Sequence, residues 1–175
     1  TDLMIGAMTI IMHDWAHVFI ASGGTFNFEL QFLLTFLRLS INLERLDAFV
    51  RQWVWPKSMS SPRDLFSTDR LDFDKDHFKC EAHEALHIYS VLSVYLQTAL
   101  PAGTCVPEVR SYLLLCDVLD LFSMISHFDV DGDVMLAAVL KHLQAFQDAY
   151  QELGWRPKHH MEIDICVALK RFKFL

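Results

Sequence analysis

From Phe26 onward, apolar residues recur at three- and four-residue steps almost without a break, and this period constrains the fold more than any other feature of the chain. Phe26, Leu30, Leu33, Leu34, Leu37 and Ile41 form one such row, and Leu43, Leu46, Phe49, Val50 and Trp53 extend it. The spacing predicts one long helix, or two in tandem, ending before Pro56. His77 to Ala99 repeats it through Ala82, Ala85, Leu86, Tyr89, Leu92 and Leu96, closed by Pro101-Ala102-Gly103. Glu108 to Ser126 aligns Val109, Tyr112, Leu113, Cys116 and Leu119, with Leu121 and Met124 as a second row, which predicts a central helix. Asp133 to Leu153 places Leu136, Leu140, Leu143, Phe146 and Tyr150 on one face and meets Gly154 in a helix-stop position.

Two stretches break the period. Trp55 to Asp76 holds Pro56, Ser58, Ser60, Ser61, Pro62 and the acidic string Asp69, Asp72, Asp74, Asp76, and predicts a long surface loop with room for a short helix near Asp64-Leu65-Phe66. Near the N-terminus stands Leu3 to Met12, ten uncharged residues without the alternation of a half-exposed strand. This predicts a strand covered on both faces, with a buried helix as the rival. It runs into His13-Asp14-Trp15-Ala16-His17, and Gly23-Gly24 then gives a turn before the first helix. A carboxylate delivered from a strand end is a metal-ligand geometry, so Asp14 is the first candidate site residue. The alternative is a capping Asp beside a core His17.

The order strand, Asp14-Trp15-Ala16-His17, turn, helix resembles the cut-and-paste transposases that carry an Asp-Asp-Glu metal triad on an RNase H-like fold, in particular the CACTA (En/Spm)-like group. There the second acidic residue lies in an Asp-x-x-His motif after a core strand, and a helical insertion follows. Phe78-Lys79-Cys80-Glu81-Ala82-His83-Glu84 and Trp155-Arg156-Pro157-Lys158-His159-His160-Met161 are similar to further segments of that family, in the same order. The resemblance covers residues 8 to 161.

What it implies is phosphodiester cleavage and strand transfer on DNA by two divalent cations, Mg2+ or Mn2+, held by three carboxylates. Asp14 would be one of the three, catalytic and metal-binding; His17 would orient it or touch the scissile phosphate. Only Thr1 to His13 precede Asp14, and no first acidic residue is found there. After Pro157-Lys158-His159-His160 the chain reads Met-Glu-Ile-Asp-Ile-Cys, without a match to the final motif, so Glu162 is not assigned the role of the closing Glu. The expectation is a transposase-derived fragment, truncated or frame-shifted, inactive alone and binding no cation tightly.

A second class rests on His83-Glu84-Ala85-Leu86-His87. His-Glu-x-x-His on a helix puts two imidazoles on one face for zinc, with Glu as general base. No Gly-x-x-His follows to give a third ligand, so a zinc metallohydrolase is the alternative reading rather than the first; two His and a Glu on a wet helix face is the plain account. Asp129-Val130-Asp131-Gly132-Asp133 departs from a calcium loop, having its Gly fourth and Leu140 at position twelve, and is expected to be a turn whose Asp133 caps the next helix. His159 and His160, as neighbours in an extended stretch, would point oppositely. Trp15, Trp53, Trp55 and Trp155 are assigned to packing. No Gly-rich phosphate loop and no Gly-x-Ser-x-Gly turn occurs, which excludes the P-loop and hydrolase-elbow classes.

With 175 residues, 53% of them hydrophobic and 21% charged, the chain suffices for one core. Its net charge of −7 and scattered Lys and Arg argue against autonomous DNA binding, although DNA is the partner in the intact family. Cys80, Cys105, Cys116 and Cys166 lack Cys-x-x-Cys spacing and suit reduced thiols in a nuclear or cytoplasmic protein. Residues 85 to 107 carry no Lys, Arg or Asp and no Glu, yet Gln97, Pro101, Gly103 and Pro107 argue against a membrane span. A homo-oligomer is compatible with all of this. The expected fold is mainly α: a helical bundle preceded by one β-strand of an incomplete RNase H-like core. Its divisions are 1–24 (strand and Asp-x-x-His), 25–154 (helical insertion, loop near 55–76) and 155–175 (truncated or divergent). A third reading, a helical interaction module without chemistry, stands if neither site has support.

Overall fold

The computed structural model describes residues 14–21, 23–56, 62–67, 70–125 and 130–172. Among them are seven α-helices: α1 (Trp15–Phe19), α2 (Thr25–Leu37), α3 (Glu44–Gln52), α4 (Ala82–Thr98), α5 (Val106–Met124), α6 (Gly132–Tyr150) and α7 (Pro157–Phe172). A 3₁₀ turn, Gln151–Gly154, joins α6 to α7. The chain is therefore mainly α, and no strand occurs among the described residues. The expected strand Leu3 to Met12 lies outside them.

One buried cluster runs from Val18 on α1 to Leu169 on α7 and draws on every helix between. The three expected divisions thus share one core where they are described. Helix α5 is central: it packs on α6, α2 and α4, while α7 packs on α6 and α1. The apolar row predicted before Pro56 divides into two helices in tandem, separated at 38–43, where Leu39 is left 78% exposed and cannot continue a buried stripe. No described helix is long and apolar enough to cross a membrane.

Three boundaries differ from expectation for physical reasons. Helix α5 starts earlier than Glu108, because Pro107 lacks an N–H that the first turn would leave unpaired and so fits there. The cap of α6 is Asp131, whose carboxylate accepts from the Asp133 N–H at 2.7 Å; Asp133 does not fill that role, and instead takes Lys170 at 2.6 Å. The stretch holding His159 and His160 is helical, not extended: Pro157 opens α7, and successive side chains diverge by about 100° rather than 180°. His159 is buried and His160 exposed as a result.

The segment between α3 and α4 is more than a surface loop. Leu65, Phe66 and Phe78 are buried, with Phe66 stacked on Phe78 at 5.7 Å. Asn27 of α2 clamps it: the Phe78 N–H donates to the Asn27 carbonyl at 2.9 Å, and the Asn27 amide donates to the Cys80 carbonyl at 3.1 Å. Asp64-Leu65-Phe66 forms a turn rather than a helix. All four tryptophans pack or bond within the fold, Trp15 on Phe122 at 5.4 Å, Trp53 on Phe49, Trp155 on Phe146, and Trp55 through an indole N–H to the Val50 carbonyl.

Helices α6 and α7 meet at Gly132, where a β-carbon would come within 2.7 Å of the Lys170 α-carbon. Backbone cannot yield as a flexible side chain can, so Gly132→Ala is expected to cost about 1–3 kcal/mol of stability. Urea unfolding followed by circular dichroism measures it; a variant as stable as the parent would mean that the two helices can separate freely.

Candidate functional site

Asp14 caps α1. Its Oδ1 accepts the Ala16 N–H at 2.9 Å and its Oδ2 lies 2.8 Å from His17 Nδ1. Both side chains face solvent, 56% exposed for Asp14 and 80% for His17, so the capping reading holds for Asp14 while His17 is no core histidine. The Asp-x-x-His spacing does bring the two together, because three residues on from a cap is one helical turn. Helix α1 lies against α7, and the Lys158 ammonium donates to the His17 carbonyl at 2.9 Å. Partial burial lowers the pKa of that ammonium. Asp14-x-x-His17 and Pro157-Lys158-His159-His160, 141 residues apart, thus form one corner of the molecule.

His83-Glu84-x-x-His87 lies in the first turns of α4. Its two rings stand 6.3 Å apart between centroids. Glu84, the intended general base, is already engaged twice: it completes a capping box with Glu81, and both its oxygens take the Arg70 guanidinium, at 2.8 and 3.0 Å. The Arg70 hydrogen bond holds the Glu84 carboxyl below the usual range and raises Arg70 in turn. A base so stabilised as an anion is a poor proton acceptor. Among the described residues no group of three or more His, Cys, Asp or Glu side chains is arranged to hold a metal ion.

The residues that sequence reading passed over lie deeper. Glu29 of α2, Ser111 of α5, His142 of α6 and Glu162 of α7 are all fully buried. Glu29 accepts from the Ser111 hydroxyl at 2.7 Å, and its other oxygen lies 2.7 Å from His142 Nε2. His142 Nδ1 faces Glu162 at 3.6 Å. Burial opposes charge on this imidazole, but Glu29 and Glu162 outweigh it and push the pKa up to about 10. His142 is therefore an imidazolium between two carboxylates. His159, also buried, is lowered by desolvation and stays neutral. The available signal was positional: Glu29, His142 and Glu162 each interrupt an apolar helical row, and a charged residue inside such a row needs a partner from another helix. All four cysteines are unpaired, and burial pushes the Cys80 and Cys166 thiols up to about 12, so these two remain thiols.

No family model, curated protein or solved structure matches this chain.

Because the folded pKa of His142 lies above its ordinary value of 6.5, its contribution to stability is complete below that pH and is lost as pH rises through about 10. His142→Gln is expected to cost about 3–5 kcal/mol at neutral pH, since it strands two buried carboxylates. That gap should narrow steadily towards about pH 10. Urea melts of both proteins across this range test it; a gap that stays constant with pH would show that His142 is not charged in the fold.

Proposed function

We propose that this chain is a transposase-derived segment: the second acidic motif and helical insertion of a CACTA-like Asp-Asp-Glu enzyme, inactive alone. The observation that carries the reading is the contact between Lys158 and the His17 carbonyl, because it joins two motifs whose only prior connection was their similarity to one family. Among the described residues Asp14 caps α1 and faces solvent with no strand beside it, so its exposure adds nothing to the reading, which expects the carboxylate at the end of a covered strand. The bundle provides the frame and Asp14 the ligand. The two further carboxylates of such a triad are not among the residues described beside Asp14. One carboxylate cannot position two cations, so DNA cleavage belongs to the intact enzyme. Zinc hydrolysis through His83 and His87 is the weaker reading, with Glu84 committed to Arg70.

Two measurements test this. Titrated Mn2+ is expected to broaden amide signals of residues 14 to 17 weakly and reversibly, and Asp14→Asn to abolish the effect, with supercoiled plasmid left un-nicked throughout. Translation of the flanking genomic DNA in all frames is expected to reveal an acidic strand upstream and a Glu-bearing helix downstream. If neither flank encodes such an element and Mn2+ ignores Asp14, the chain is a helical module of another origin.

A further inference from the structure

The stretch from residue 85 to 107, which carries no Asp, Glu, Lys or Arg, ends at a cleft that the bundle does not fill. Its walls are the end of α4 and the start of α5. Helix α4 stops at Thr98, and the Ala99 and Leu100 N–H groups both donate back to the Tyr95 carbonyl, at 2.8 and 3.2 Å. Residues 101–104 then turn, with Gly103 at φ 83° and the Thr104 N–H donating to the Pro101 carbonyl at 3.2 Å. Cys105, left-handed at φ 44°, redirects the chain into α5. The turn leaves about 450 Å³ bordered by Leu96 and Leu100 of α4 and by Val106, Val109 and Leu113 of α5. That volume lies within the range of small-molecule sites, which have apolar walls and few polar groups.

Val106, Val109, Arg110 and Leu113 recur at three- and four-residue steps and share a face of α5. It is not the face that Tyr112, Leu115 and Leu119 bury in the core. Helix α5 is thus apolar on a second side, where Val106 is 58% exposed. Of the residues lining the cleft only Arg110 is charged; it is exposed, and among the described residues no carboxylate pairs with it. Glu108, the nearest carboxylate along the chain, is buried and does not line the cleft. In a chain of net charge −7, a guanidinium without a counter-charge beside apolar walls is the unusual feature. Such a cleft complements a ligand with an apolar body and one anionic end. The guanidinium fork presents parallel N–H donors that match the two oxygens of a carboxylate.

We propose that this cleft binds a free unbranched fatty acid of medium length, its chain against Leu96, Val109 and Leu113 and its carboxylate on Arg110. One cation matches one negative charge. Because Arg110 is exposed, the carboxylate stays in reach of water, and the part of the ligand that leaves water is the chain, whose burial is favourable. No residue of the Asp14 corner takes part, so this site and the transposase reading stand or fall separately.

The isotope-labelled full chain is titrated with decanoate, below the concentration at which it forms micelles, and backbone amide shifts are followed. Saturable binding at one site is expected, with the largest shifts in residues 96–114. Arg110→Gln should weaken decanoate about 10- to 100-fold. Decanol, of the same chain length without the charge, should bind more weakly than decanoate and be indifferent to that substitution. Val106→Trp adds bulk at an exposed position beside the cleft and should weaken both ligands. Both substituted side chains are exposed, so the fold is expected to survive, which circular dichroism checks. The proposal is overturned if decanoate produces no saturable shifts, if its shifts centre outside the cleft, or if Arg110→Gln binds it as the parent does. Self-association that Val106→Trp abolishes and decanoate leaves unmoved also overturns it, by showing that a second copy of the chain covers the cleft.

Discussion

The 2.7 Å contact between Glu29 and His142 is the constraint on which the bundle's arrangement depends. Apolar rows attract one another without direction, and helices packed through leucines alone can slide or rotate by part of a turn at small cost. A buried carboxylate facing an imidazolium cannot, because displacing either by an ångström leaves a charge in a medium that does not solvate it. Ser111 on α5 and Glu162 on α7 join the same centre, so four helices are held in mutual register by groups contributing little apolar area. Such a centre adds less to net stability than well-packed leucines of equal volume would. What it adds is one preferred arrangement among several that the apolar pattern allows.

That register reaches the surface through α7. Glu162 faces His142 at 3.6 Å inside, and Lys158, four residues earlier, meets the His17 carbonyl outside. His159 lies between them, turned inward against Phe146 and Trp155. The tetrad Pro157-Lys158-His159-His160 therefore divides its work: Pro157 starts the helix, Lys158 anchors α1, and His159 fills the core. Asp14 owes its position to a chain of contacts that begins at Glu29, although the two carboxylates never meet.

Helical periodicity made most of the fold legible, because each helix buries a face and a buried face must repeat every third or fourth residue. Ends were less legible. Pro107, Asp131 and Pro157 set their helix boundaries through N–H satisfaction, which leaves no trace in hydrophobic spacing. The buried face of α6 also differs from the apolar row of the sequence: Leu140 is 48% exposed, and the buried stripe runs through Met135, Val139, His142 and Phe146. Counting only apolar residues hid His142 for that reason, and hid Glu29 and Glu162 likewise. The pairing of Asp14 with His17 was readable since it is local, whereas the approach of Lys158 is tertiary and was suggested only by the order of motifs. The reach of the Phe66 and Phe78 rings into the core was masked by acidic residues around them.

Two carboxylate–imidazole pairs of nearly equal length, 2.8 Å at Asp14–His17 and 2.7 Å at Glu29–His142, behave oppositely because of where they sit. At the surface, water and salt screen the attraction, so the pair forms and breaks at a cost near the thermal energy. Asp14 and His17 can part without stranding a buried charge. In the core the same separation requires a replacement charge to arrive as the old one leaves, since neither partner can be left alone. Residues of one chemical type are thus divided by burial into a pair that opens freely to solvent and a pair suited to holding helices.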